Sequence, residues 1–156
     1  MNSFMQEQWP TFEVGHATRT ELLDSLSDAD LAFNPGGLSM TLGALFREMG
    51  EIEYSYIESL KTFKQDFKYR NTEPGMDTSV AKLKAWYQQL DGDMKATLEA
   101  FSDDDFKKTI DRGFTRSVDM QMQIYMQNYF IFFGKATIYL KVMNRPLSEK
   151  FQSWIG

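Results

Sequence analysis

Residues 118–143 constrain the chain more than any other stretch. They hold no proline and one glycine, Gly134, and apolar residues occupy most of the circumference a helix there would have. A helix apolar nearly all round has to be packed on several sides. At about 100° per residue, the narrow strip left for solvent runs through Gln123, Gln127, Thr137 and Lys141, with Phe130 and Gly134 on it. The opposite face carries Gln121, Tyr125, Asn128, Phe132 and Tyr139. The Asn128 amide therefore lies where only core or a pocket is available, and a buried amide is costly unless its donors and acceptors are paired.

Three further helices precede this one. The first is predicted over 9–26, with Pro10 in its first turn and Phe12, His16, Arg19, Leu22, Leu23 and Leu26 on one stripe. Asn34-Pro35-Gly36-Gly37 then breaks the chain. The second starts near Ser39 or Thr41, either a competent N-cap, and its stripe is Leu42, Leu45, Met49, Ile52, Tyr56 and Leu60. Glu48 falls on the boundary of that stripe, and Arg47 and Glu51 point to solvent. The third is predicted over 78–101, with a seam of Val80, Leu83, Tyr87, Leu90, Met94, Leu98 and Phe101, leaving Lys82, Lys84, Gln88, Asp91 and Lys95 outside.

Between the second and third helices, residues 61–77 form a link longer than the roughly two to eight residues that join antiparallel neighbours. It suits a crossover that leaves the two helices parallel. Leu26-Ser27-Asp28-Ala29-Asp30-Leu31 is echoed by Phe101-Ser102-Asp103-Asp104-Asp105-Phe106, which suggests two similar helical hairpins. Asn144 and Pro146 end the long helix. Ser148 then caps a short last helix whose Phe151 and Trp154 must tuck against the bundle or a partner. The expected fold is all-α: one domain over 1–156, a four-helix bundle with a long crossover between helices two and three and a short C-terminal helix.

Composition narrows the chemistry. The absence of cysteine excludes disulfides, thiolate nucleophiles and thiolate metal sites. A net charge of −5 without a basic face argues against nucleic-acid or anionic-membrane binding. There is no signal-peptide pattern and no unbroken apolar run long enough to span a bilayer, so a cytoplasmic protein is expected. With a single histidine, His16, any Ser-His-Asp arrangement would have to be built on that residue. His16 reads as a hydrogen-bonded residue at the core edge, or as a pocket residue or lone ligand. The Glu-x-x-His pair of bundle metal sites is missing, and Glu48, Glu51, Glu53 and Glu58 spread around their helix as a solvated face.

Thr41-Leu-Gly-Ala-Leu-Phe-Arg-Glu-Met-Gly-Glu-Ile-Glu-Tyr-Ser-Tyr-Ile-Glu-Ser-Leu60 resembles the second helix of the DinB-like (DinB/YfiT) family. Phe132-Phe-Gly-Lys-Ala-Thr-Ile-Tyr-Leu140, with Asn144-Arg-Pro-Leu147, resembles its fourth helix and tail. The Leu26–Leu31 turn and the Pro35-Gly36-Gly37 break fit the same pattern. The resemblance implies a bundle with helices two and three parallel, a homodimer, and metal-dependent enzymes acting with low-molecular-weight thiols. In such proteins three histidines hold nickel or zinc. Their positions fall here on Glu48, Asn128 and Phe132, with Gly134 as the glycine that follows. All three ligands are changed, and a carboxylate with an amide suits nickel or zinc poorly.

Three functions follow as expectations. The first is a metal-free bundle, with no cofactor, that binds a small molecule in a remnant pocket of His16, Glu48, Tyr125, Asn128 and Phe132, or that acts as a homodimeric interaction protein. The second is an enzyme of altered chemistry with Glu48 as general base and Asn128 orienting a substrate. The third is a residual metalloenzyme in which Glu48, Asn128 and His16 hold a hard ion weakly.

Overall fold

Side-chain oxygens start most of the long helices. The computed structural model describes residues 2–155, without the side chains of Trp154 and Ile155. Helix α1 is Ser3–Glu7, α2 Trp9–Asp24, α3 Leu42–Thr62, α4 Val80–Glu99, α5 Val118–Val142 and α6 Glu149–Ile155. Thr41, Ser79 and Ser117 accept from the backbone N–H three residues on, opening α3, α4 and α5. Thr41 is thus the cap, and Ser39 belongs to the turn before it. Asn144 takes φ +55° just past α5, the left-handed stop that asparagine tolerates.

Residue pairings give the helix directions. Gly43 meets Asp77, Gly50 meets Trp86, and Arg19 joins Glu53 to Asp91, so α3 and α4 run parallel. Glu13–Lys95 and Asp24–Lys84 make α2 antiparallel to α4. Asn128–Tyr56 and Lys135–Glu48 make α5 antiparallel to α3. This is the four-helix bundle with its crossover over 63–79. Among the described residues, no helix is long and apolar enough to cross a membrane.

Several details differ from the sequence reading. The first predicted helix, 9–26, is α2, and a short helix not foreseen, α1, precedes it across Gln8; Asn2 caps α1 and ties it to the carbonyls of Leu98 and Phe101. Thr109–Asp111 and Thr115–Ser117 form a small hairpin, strands β1 and β2, missed because three-residue strands carry no readable periodicity. Gln65 and Phe63 of the crossover bond to Asp111, extending that hairpin. The crossover also covers Glu51, whose carboxylate accepts from Asn71 N at 3.0 Å instead of facing solvent. Thr137, assigned to the solvent strip, is buried, and its hydroxyl is satisfied by donating to the Phe133 carbonyl.

The repeated six-residue motif is one structural device used twice. Ser27 donates to Asp30, and Ser102 to Asp105, through both N–H and hydroxyl at 2.7–2.9 Å. Each closes a 3₁₀ turn that buries the last residue of its motif, Leu31 and Phe106. At the C-terminus, Ser148 caps α6 and Phe151 packs edge-on against Phe133 at 5.3 Å. The side chain of Trp154 lies outside the described residues.

Candidate functional site

Two polar places interrupt the core, and they lie on different sides of α3. The first is built around Arg19, the one strongly charged residue on the apolar stripe of α2. Its guanidinium is fully buried, donates to Glu53 Oε2 at 2.5 Å and Asp91 Oδ1 at 2.7 Å, and also donates to the Tyr129 hydroxyl. The Tyr87 ring lies 3.6 Å from its Cζ, a cation–π contact. His16, one turn earlier, places Nδ1 3.0 Å from Asp91 Oδ1, and Nε2 3.3 Å from the Tyr125 hydroxyl and 4.0 Å from Glu53 Oε1.

Burial and charge oppose each other throughout this cluster. Burial works against the Arg19 charge, but Glu53, Tyr129 and Asp91 outweigh it and hold the guanidinium firmly protonated. Burial pushes the Glu53 carboxyl up against the pull of Arg19 and His16, and the charge of Asp91 adds to the rise. Asp91 is also desolvated, yet its hydrogen bond with His16 and the charge of Arg19 carry it well below the usual carboxylate range. Burial raises both Tyr125 and Tyr129, so their hydroxyls stay protonated. A cavity of about 500 Å³ opens at the surface over His16 and Asp91, walled by Trp9, Ala17, Thr20 and Lys95.

The second place lies between α3 and α5. Glu48, Asn128 and Phe132 line a cavity of about 100 Å³ with Leu45, Ile52 and Lys135. Asn128 donates to the Tyr56 hydroxyl and to the Ile124 carbonyl, both at 3.0 Å. Glu48 faces Lys135 at 3.5 Å. Phe132 is buried edge-on against Phe46 at 5.1 Å. Glu48 and Ile52 also border a larger hollow of about 360 Å³, bounded otherwise by Met40, Ala44, Arg47, Glu51, Phe67 and Arg70.

The model of the DinB superfamily matches residues 11–130, most of the chain. The chain belongs to the DinB superfamily. The crystal structure of the DinB-like protein YjoA from Bacillus subtilis superimposes with a TM-score of 0.71, covering 87% of this chain and 91% of that one at 16% identity. That likeness is one of fold. No curated protein matches the chain.

In this DinB bundle the five residues expected to form one pocket are divided. Glu48, Asn128 and Phe132 share the cleft between α3 and α5. His16 belongs to the cavity over Asp91, and Tyr125 is fully buried between the two places, its ring 5.1 Å from Tyr56 and its hydroxyl on His16. Sequence reasoning missed Glu53 and Asp91, having placed both outside. Glu53 is instead fully buried and Asp91 three-quarters so, with a side-chain exposure of 26%. Arg19 was the available signal, since an arginine on an apolar stripe requires buried carboxylates on the facing helices.

Proposed function

We propose that this DinB-superfamily chain has lost the metal site its resemblance implies and binds a small polar molecule, without catalysis, in the cleft beside Glu48. One observation carries the reading: Glu48 and Ile52 line both the 100 Å³ and the 360 Å³ hollows, so the expected ligand position on α3 stands between two neighbouring hollows. The donor set does not fit nickel or zinc. Phe132 offers no donor, Asn128 offers only a neutral amide oxygen, and Glu48 is neutralised by Lys135.

The cleft itself suits a ligand. The 360 Å³ hollow beside Glu48 falls within the range of small-molecule sites, about 300–1,000 Å³. Arg47 and Arg70 stand beside Glu48 and Glu51, with Ile52 and Phe67 as apolar surface, so a mixed-charge molecule with a short apolar portion is the matching class. A general base, by contrast, works best as an enclosed carboxylate in an apolar setting. The Glu48 side chain is 41% exposed and paired with a lysine, which favours binding over proton abstraction.

A thermal-shift screen of small zwitterions and carboxylates tests this, using wild type and Ile52→Trp, which fills the floor of the cleft. The expected result is a compound that raises the wild-type Tm and leaves the variant unmoved. Equal shifts in both proteins, or no shift in either, would overturn the reading. A homodimer remains part of the proposal, supported by Leu38, Ile131, Ile138 and Val142, all exposed. Ile138→Glu is expected to halve the mass measured by light scattering.

A further inference from the structure

We propose that His16, Asp91 and Glu53 form a binding site for a divalent first-row transition ion, zinc first among them, inside the bundle and separate from the cleft beside Glu48. The three residues come from α2, α4 and α3, and one donor atom from each lies within 4.8 Å of the others. Donors around an ion at about 2.1 Å stand roughly 3–4 Å apart, so the outermost pair has to close by about 1 Å to reach ligating distance. One imidazole with two carboxylates is a donor set that zinc, manganese and iron accept.

A cluster of acids alone would not carry this. The independent observation is Glu53 Oε1: the side chain is fully buried, Oε2 is held by Arg19, and as a carboxylate oxygen Oε1 accepts no hydrogen bond from any described residue. Such an atom leaves a desolvation penalty unmet unless something positive reaches it. It lies 4.0 Å from His16 Nε2. The charges agree, because Arg19 supplies one positive charge against two buried or part-buried carboxylates, leaving one negative charge for a cation to meet.

Access and support are also built in. The 500 Å³ cavity opens over His16 and Asp91, giving an ion a route and leaving an open side for water. Arg19 holds Glu53 Oε2 and leaves Oε1 free, as outer-shell donors do around metal ligands, and the His16 Nδ1 contact to Asp91 Oδ1 would open as an ion enters. Its positive charge also lowers the affinity, so the site holds the ion less tightly than a three-histidine centre would. A proton is the rival occupant, and the experiment separates the two.

Full-length, tag-free, chelator-treated protein is titrated with zinc by calorimetry, and with cobalt(II) to record its visible absorption bands. The controls are Glu48→Ala, His16→Gln and Asp91→Asn. The expected result is one ion per chain, a higher Tm with zinc, ligand-field bands with cobalt, full binding by Glu48→Ala, and an affinity at least about 100-fold lower in His16→Gln and Asp91→Asn. Circular dichroism checks folding; Asp91 is part-exposed, so Asp91→Asn decides if His16→Gln does not fold. Absence of saturable binding by wild type would assign Glu53 Oε1 to a proton and overturn the proposal. Equal binding in the folded site variants would overturn it as well. Loss of binding in Glu48→Ala would instead place the ion in the cleft, contradicting the proposed function separately.

Discussion

Arg19 Nη1 meets Glu53 Oε2 at 2.5 Å in the middle of the bundle, and neither side chain is exposed to solvent. The pair ties α2 to α3, and the second Arg19 nitrogen ties both to Asp91 on α4. Buried ion pairs of this kind are poor sources of net stability but severe when half removed, because the remaining charge is stranded. The cluster therefore fixes how three helices meet.

Arg19→Met is expected to cost about 3–5 kcal/mol at neutral pH. Adding Glu53→Gln to it should recover part of that loss, since the stranded carboxylate is gone. Urea unfolding of wild type, both singles and the double closes the cycle. Additive losses would show that Arg19 and Glu53 do not act as a pair.

Two glycines on α3 set how closely α4 approaches. A Cβ at Gly43 would lie 1.8 Å from the Asp77 carbonyl oxygen, and one at Gly50 2.4 Å from the Trp86 ring. Overpacking costs roughly 1–3 kcal/mol where a side chain can move. Gly50→Ala should fall in that range and Gly43→Ala should exceed it, because backbone yields less than a ring. Urea midpoints of the two variants check the order.

The pH dependence has two opposing limbs. Asp30 is held below its ordinary value of 3.8, first by the Ser27 backbone N–H and then by Arg145; Asp105 is held lower still, by Lys108 and then Ser102. Depressed carboxyls contribute stability that is present above the unfolded value and lost as pH falls through the folded one. Glu53 is raised above 4.5, mainly by burial, so its contribution is present below 4.5 and lost as pH rises through its folded value. Stability should therefore peak on the mildly acidic side of neutral. Asp30→Asn with Asp105→Asn should flatten the acid-side decline, and Glu53→Gln should flatten the alkaline-side decline. Unfolding free energies measured across the pH range give both slopes.

The bundle was legible in the sequence because its helices carry long apolar stripes, competent caps and clear breaks. Leu42 to Leu60 and Val80 to Leu98 needed no tertiary knowledge. The Ser27/Asp30 and Ser102/Asp105 turns were visible as an echo, though not as a hydrogen-bonded device. What stayed hidden depends on pairing across helices. Glu53 and Asp91 look solvated on their own wheels, and Arg19 and His16, reaching from α2, make their burial tolerable. Glu51 is likewise covered by a crossover segment whose path no periodicity records.

Zinc and nickel titration of wild type beside Glu48→Ala is the most direct test of the central claim, that the cleft between α3 and α5 no longer holds a metal. Glu48 is part-exposed, so its removal leaves the bundle intact. The account predicts the same metal content, affinity and Tm response in both proteins. An affinity at least about tenfold weaker in Glu48→Ala, in a variant that remains folded, would contradict it.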